Sequence, residues 1–77
     1  MAKIIIRDVL YTNTDETFYV LEREHKMPAD YKAETLEEAV TYLKSDGWIR
    51  CGKVNKQDYS IVDMLSKDNV YIAIWEE

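Results

Sequence analysis

The chain has 77 residues, 47% of them apolar, with 15 acidic against 10 basic side chains and a net charge of −5. That supports one hydrophobic core and not two, since each half would be too small to offset its own chain entropy. Two Gly and one Pro exclude a linker or a disordered tail, the lone Cys51 excludes an internal disulfide, and the acidic balance disfavours a phosphate-backbone binder.

Residues 3–12, KIIIRDVLYT, are rich in β-branched and aromatic side chains and predict a strand. Asn13, Thr14, Asp15 and Glu16 make a four-residue turn, and 17–25, TFYVLEREH, predict the second strand of a hairpin. Residues 26–34 read as a connection. Thr35 followed by Glu38 is a capping-box pattern, and Leu36, Ala39, Val40 and Leu43 recur at helical spacing, predicting a helix over 36–46 that Gly47 ends. Residues 48–54 read as a third strand. Ser60 followed by Ile61, Met64 and Leu65 reads as a short second helix over 61–67, with an irregular loop as the competing reading. The alternating run 69–76, NVYIAIWE, reads as the last strand. The expected fold is α+β: a mostly antiparallel four-stranded sheet in the order β-β-α-β-(α)-β, with one main helix on one face.

A single amphipathic helix covers one face of a sheet. The aliphatic set Ile4, Ile6, Phe18, Val20, Ile49, Val70, Ile72 and Ile74 is expected beneath it. The opposite face then carries Tyr11, Tyr19, Trp48, Tyr71 and Trp75, with Arg50 among them. An open face of that composition suits protein–protein contact, because Tyr, Trp and Arg often carry interface energy. The competing reading packs these rings across an edge to complete a small core.

The acidic excess is uneven. Residues 27–47 hold five acids (Asp30, Glu34, Glu37, Glu38 and Asp46) against two bases, for a local charge of −3, whereas 1–26 and 48–77 carry −1 each. Such a face either keeps the protein soluble or attracts a basic protein surface. Chemistry-bearing motifs are sparse. His25 is expected to be solvated at a strand end, Cys51 to be a small core side chain, and adjacent Glu24 and His25 point to opposite sides of a strand, which disfavours zinc. No catalytic residue, cofactor or metal is expected. The start MAKIIIRDVLYT lacks the long uncharged segment of a signal peptide, so a cytoplasmic location without membrane contact is expected.

The segment TLEEAVTYLKSDGWIRCG resembles the helix-Gly-Trp-strand segment of several small α+β families of unknown role. In size, charge and lack of catalytic groups the chain is similar in type to small inhibitors encoded by phages and mobile elements, including anti-CRISPR proteins. That resemblance implies a module that binds a basic nucleic-acid-handling protein, without direct contact to nucleic acid. Asp30, Glu34, Glu37 and Glu38 would steer the encounter, and Tyr11, Tyr19, Trp48, Arg50, Tyr71 and Trp75 would make contact. The alternative is a structural or regulatory homodimer joined through the aromatic sheet face.

Overall fold

The computed structural model describes residues 3–77. A hairpin of β1 (Ile4–Thr12) and β2 (Thr17–Glu24) is followed by one helix, α1 (Leu36–Ser45), and by a three-strand meander of β3 (Ile49–Asn55), β4 (Ile61–Lys67) and β5 (Val70–Glu76). The five strands form a single antiparallel sheet in the order β2-β1-β5-β4-β3. This corrects the expected four-stranded sheet and second helix.

Residues 61–67 are a strand because of what flanks them. Asp68 and Asn69 both have positive φ (50° and 67°), the signature of a two-residue type I′ hairpin, and Lys67 pairs directly with Val70. Ser60 does not cap a helix there; its backbone N–H donates to Asp58 Oδ1 at 3.0 Å in a turn. A seven-residue helix has few internal hydrogen bonds to offset its nucleation, whereas β4 is bonded to β3 on one side and β5 on the other. The apolar residues serve both faces of that strand. Val62 and Met64 enter one core and Leu65 the other.

Helix α1 starts as its sequence dictates. The Thr35 hydroxyl accepts from the Glu38 backbone N–H at 3.1 Å, and Glu38 Oε1 accepts from the Thr35 N–H at 3.2 Å. Its end is a Schellman motif: the Gly47 N–H donates to Lys44 O and the Trp48 N–H to Leu43 O, with Gly47 at φ 103°. That reversal swings Trp48 back beneath the helix. The first core therefore contains Ile6, Ala39, Val40, Leu43, Trp48, Leu65, Ile72 and Ile74.

The other face of the sheet has a core of its own: Val9, Val20, Val54, Val62, Met64 and Ala73, flanked by Phe18, Tyr71 and Trp75. No helix covers it; the sheet covers itself. In a flat five-stranded sheet the edge strands would stand about 19 Å apart. Here β2 and β3 approach within 8 Å, Cα to Cα, without pairing. The Gln57 side-chain amide closes part of the gap by donating to the Val20 carbonyl. Val20 and Val54 from the two edges thus meet inside the curl.

Two strands are inverted relative to the sequence expectation. On β2, Phe18 and Val20 face the curled interior and Tyr19 lies on the helix side, as the register Val9↔Val20 and Tyr11↔Phe18 requires. On β3, Ile49 is exposed rather than buried beneath the helix, and Arg50 lies on the helix side opposite Leu65. Phe18 and Val20 are the more apolar pair of their strand, and two cores compete for them. With a single helix-covered core they would lie beneath the helix; the second core takes them to the opposite side. Val70, also expected in the core, is 49% exposed at the strand end beyond the helix.

Candidate partner-docking surface

Of the acidic residues of the middle third, Glu34, Glu37 and Glu38 flank the first turn of α1, Asp30 lies beside Tyr42 further along it, and Asp46 is the C-cap at its other end. Glu38 is committed to the cap: its Oε1 accepts from the Glu34 N–H, the Thr35 N–H and the Thr35 hydroxyl, each at 3.2 Å. Carboxylates at this end also face the positive end of the helix dipole. Asp30, from the connection before the helix, accepts from the Tyr42 hydroxyl at 3.0 Å. Tyr42 in turn packs edge-on against Tyr31, with ring centroids 5.1 Å apart. Burial, then the hydrogen bond to Asp30 and the charge of that carboxylate, push the Tyr42 hydroxyl above its usual pKa. Glu34 and Glu37 project to solvent from the same region.

Four aspartates outside this group are neutralised by neighbouring cations. Asp8 pairs with Arg23 and His25, Asp46 with Lys67, Asp58 with Lys56, and Asp63 with Lys53 and Arg50. Among the described residues, Asp30, Glu34, Glu37 and Glu38 have no cation within ion-pair distance, although Lys32 borders the same shallow depression as Glu37 and Glu38. A negative surface without internal counter-charges therefore lies at one end of the helix. No family model, curated protein or solved structure matches this chain.

The aromatic residues expected to share one open face do not. Trp48 is 7% exposed in the helix-side core, edge-on to His25 at 5.5 Å between ring centroids. Tyr11, Phe18 and Tyr71 pack in a chain on the curled face, with centroids 4.7 Å and 5.1 Å apart. Trp75 is half-buried there beneath Lys56. Tyr19 lies on the opposite side and donates its hydroxyl to Asp15 Oδ2 at 2.6 Å. Arg50 borders a depression with Glu37 and Lys44 of the helix and reaches Asp63 Oδ2 at 3.8 Å. The rings are divided between two cores and an edge, because the curled sheet needs them as cover.

The sequence reading missed an exposed apolar row. Leu10 pairs with Tyr19, and Val70 follows on β5, since Val9 pairs with Tyr71. The three are 45–51% exposed on the helix side of the sheet, beyond the helix. It also missed the setting of His25. Its Nδ1 lies 2.7 Å from Asp8 Oδ1, while Arg23 Nε donates to Asp8 Oδ2 at 2.7 Å. Burial alone would raise the Asp8 pKa, but the hydrogen bonds and charges of His25 and Arg23 outweigh it and hold the carboxyl below 3.8. The trio fastens the end of β2 to β1. Cys51, expected in the core, is exposed, because the bulge between Arg50 and Gly52 lifts it from the ladder; its thiol donates to Met64 O at 3.5 Å. Among the described residues no three His, Cys, Asp or Glu side chains group as metal ligands, and no helix is long and apolar enough to cross a membrane.

Proposed function

We propose that this chain is a small acidic protein-binding module whose partner presents a basic surface, such as the phosphate-facing surface of a nucleic-acid-handling protein. An inhibitor of the kind carried by phages and mobile elements would work in this way. The observation that carries the reading is the clustering of Glu34, Glu37 and Glu38 at the start of α1, with Asp30 nearby against Tyr42, where among the described residues none of the four has a cation within ion-pair distance. Charges left uncompensated at a surface steer an oppositely charged partner and speed its encounter. Trp48, Tyr71 and Trp75, being used as core or packed against it, are not the anchors of this interaction; Glu34 and Glu37 are its exposed contacts.

The test is capture from the native host by the wild-type chain and by Glu34→Lys/Glu37→Lys, at low and moderate salt, read by quantitative mass spectrometry. Glu38 is left intact because it closes the cap. The expected result is a basic protein retained by the wild type, released by salt and not retained by the double variant. Retention of the same proteins by both chains, independent of salt, would refute acidic steering.

A homodimer is the second reading, and the row Tyr19, Leu10 and Val70 favours it, since contiguous exposed apolar residues mark contact surfaces. A sedimentation mass that stays monomeric at every concentration removes it.

A further inference from the structure

At the end of the curled face lies a cavity of about 380 Å³ that the acidic helix start does not account for. Arg7, Lys56, Gln57 and Trp75 border it, together with the exposed carboxylates Glu22 and Asp58. Arg7 projects from β1 toward the curled side, between Ile5 and Val9. Its Nε is buried and has no acceptor of the chain within reach. Among the described residues Arg7 also makes no ion pair, although Glu24 is its register partner across β2. Buried guanidinium donors in native proteins nearly always have an acceptor, because their lost hydration is otherwise uncompensated.

A second cation stands beside it. The Lys56 side chain is only 17% exposed; its Nζ lies 4.6 Å from the centroid of the Trp75 ring and 3.7 Å from Asp58 Oδ2. The indole face favours the ammonium there. The hydrogen bond from Gln57 to the Val20 carbonyl ties this loop to β2. In a chain of net charge −5, this pocket is neutral in sum, but its two cations are partly buried while its two carboxylates, Glu22 and Asp58, are exposed at the rim.

We propose that this cavity binds a carboxylate, held by the Arg7 guanidinium and the Lys56 ammonium beside the Trp75 ring. A guanidinium presents adjacent donors whose spacing fits the two oxygens of a carboxylate. Glu22 and Asp58 select for charge. With these carboxylates at the rim the site is neutral in sum, so a bound carboxylate adds one uncompensated negative charge and a phosphate dianion two, which favours the carboxylate. The cavity opens on the curled face, away from the helix, and the assignment does not depend on the docking surface above.

The test uses the full chain labelled with ¹⁵N and titrated with sodium acetate, with sodium phosphate above neutral pH, and with sodium chloride at matched ionic strength. The Arg7 Nε–H, Trp75 indole N–H and Gln57 side-chain amide resonances report the site. The expected result is a saturable shift with acetate that exceeds the shifts with chloride and phosphate. Lys56→Gln, in a loop outside the sheet, should weaken acetate about tenfold, the scale of one lost charge-assisted hydrogen bond. Arg7→Leu should abolish binding. A short peptide with a free C-terminus that binds where its C-terminal amide does not would place the carboxylate on a peptide; acetate binding tighter than that peptide would point to a small acid. Acetate shifts no larger than those of chloride, phosphate binding tighter than acetate, or an unchanged affinity in Lys56→Gln would overturn the proposal.

Discussion

Threonine placed at two adjacent positions of β4 separates a strand from a helix. Val62 is 8% exposed, pairs with Val54 across the sheet and sits among Val9, Val20, Met64 and Ala73. Ile61, one residue earlier, is 68% exposed. Val62→Thr keeps the volume and the β-branch but places a hydroxyl among side chains that offer it no acceptor. Burying an uncompensated hydroxyl costs about 1–3 kcal/mol on mutational scales. For a domain of this size, about 2 kcal/mol corresponds to a fall in Tm of roughly 8–16 °C. Ile61→Thr is expected within about 0.5 kcal/mol of wild type, as for surface substitutions generally. Thermal and urea unfolding followed by tryptophan fluorescence measure both, with an unchanged urea slope confirming a comparable unfolding transition. A helix with Ile61, Met64 and Leu65 on its buried side reverses the order. If Ile61→Thr proves the more damaging change, the strand assignment and the two-core argument built on it fail together.

Trp48→Ala is expected to cost about 3–5 kcal/mol by removing a buried indole, whereas Tyr59→Ala, at 85% exposure, should leave the unfolding midpoint nearly unchanged. Thr35→Ala should cost about 1 kcal/mol through loss of the cap, visible as a lower urea midpoint with little change in the spectrum of the folded sheet. The lowered pKa of Asp8 makes a signed prediction about pH. The folded state holds the carboxylate charged more readily than the unfolded chain does, so its contribution is present above about the ordinary value of 3.8 and fades as pH falls through the lower folded value. Wild type and Asp8→Asn should therefore differ in stability near neutral pH and converge under strong acid; a difference that persists in acid would contradict this account.

Features set by local chemistry could be read from the sequence. The capping box and Gly47 mark both ends of α1 because their hydrogen bonds lie within a few residues. The hairpin 3–25 is legible for the same reason, as is the crowding of Glu34, Glu37 and Glu38 around the helix start. Features decided by distant partners were not. Ser60 with Ile61, Met64 and Leu65 satisfies a helical template by spacing alone, and the stronger signal was Asp68-Asn69, a pair suited to positive φ. Strand alternation alone places Trp48 on the face away from the helix, yet the reversal at Gly47 fixes its direction before the strand begins. The exchanged faces of β2 follow from the curl, which brings Val20 against Val54 although 34 residues separate them in sequence. No window of sequence contains that contact.

The pairing of β1 with β5 has a consequence for how the chain assembles. The hairpin and the meander can each zip from a tight turn, but neither contains a finished layer. The seam between them joins Ile4 to Glu76 and Val9 to Tyr71, at the middle of the sheet. Closing a seam between such remote segments is entropically slow. Assembly is therefore expected to wait for the final strand, and until it arrives the inner edges of both halves are exposed to wrong partners.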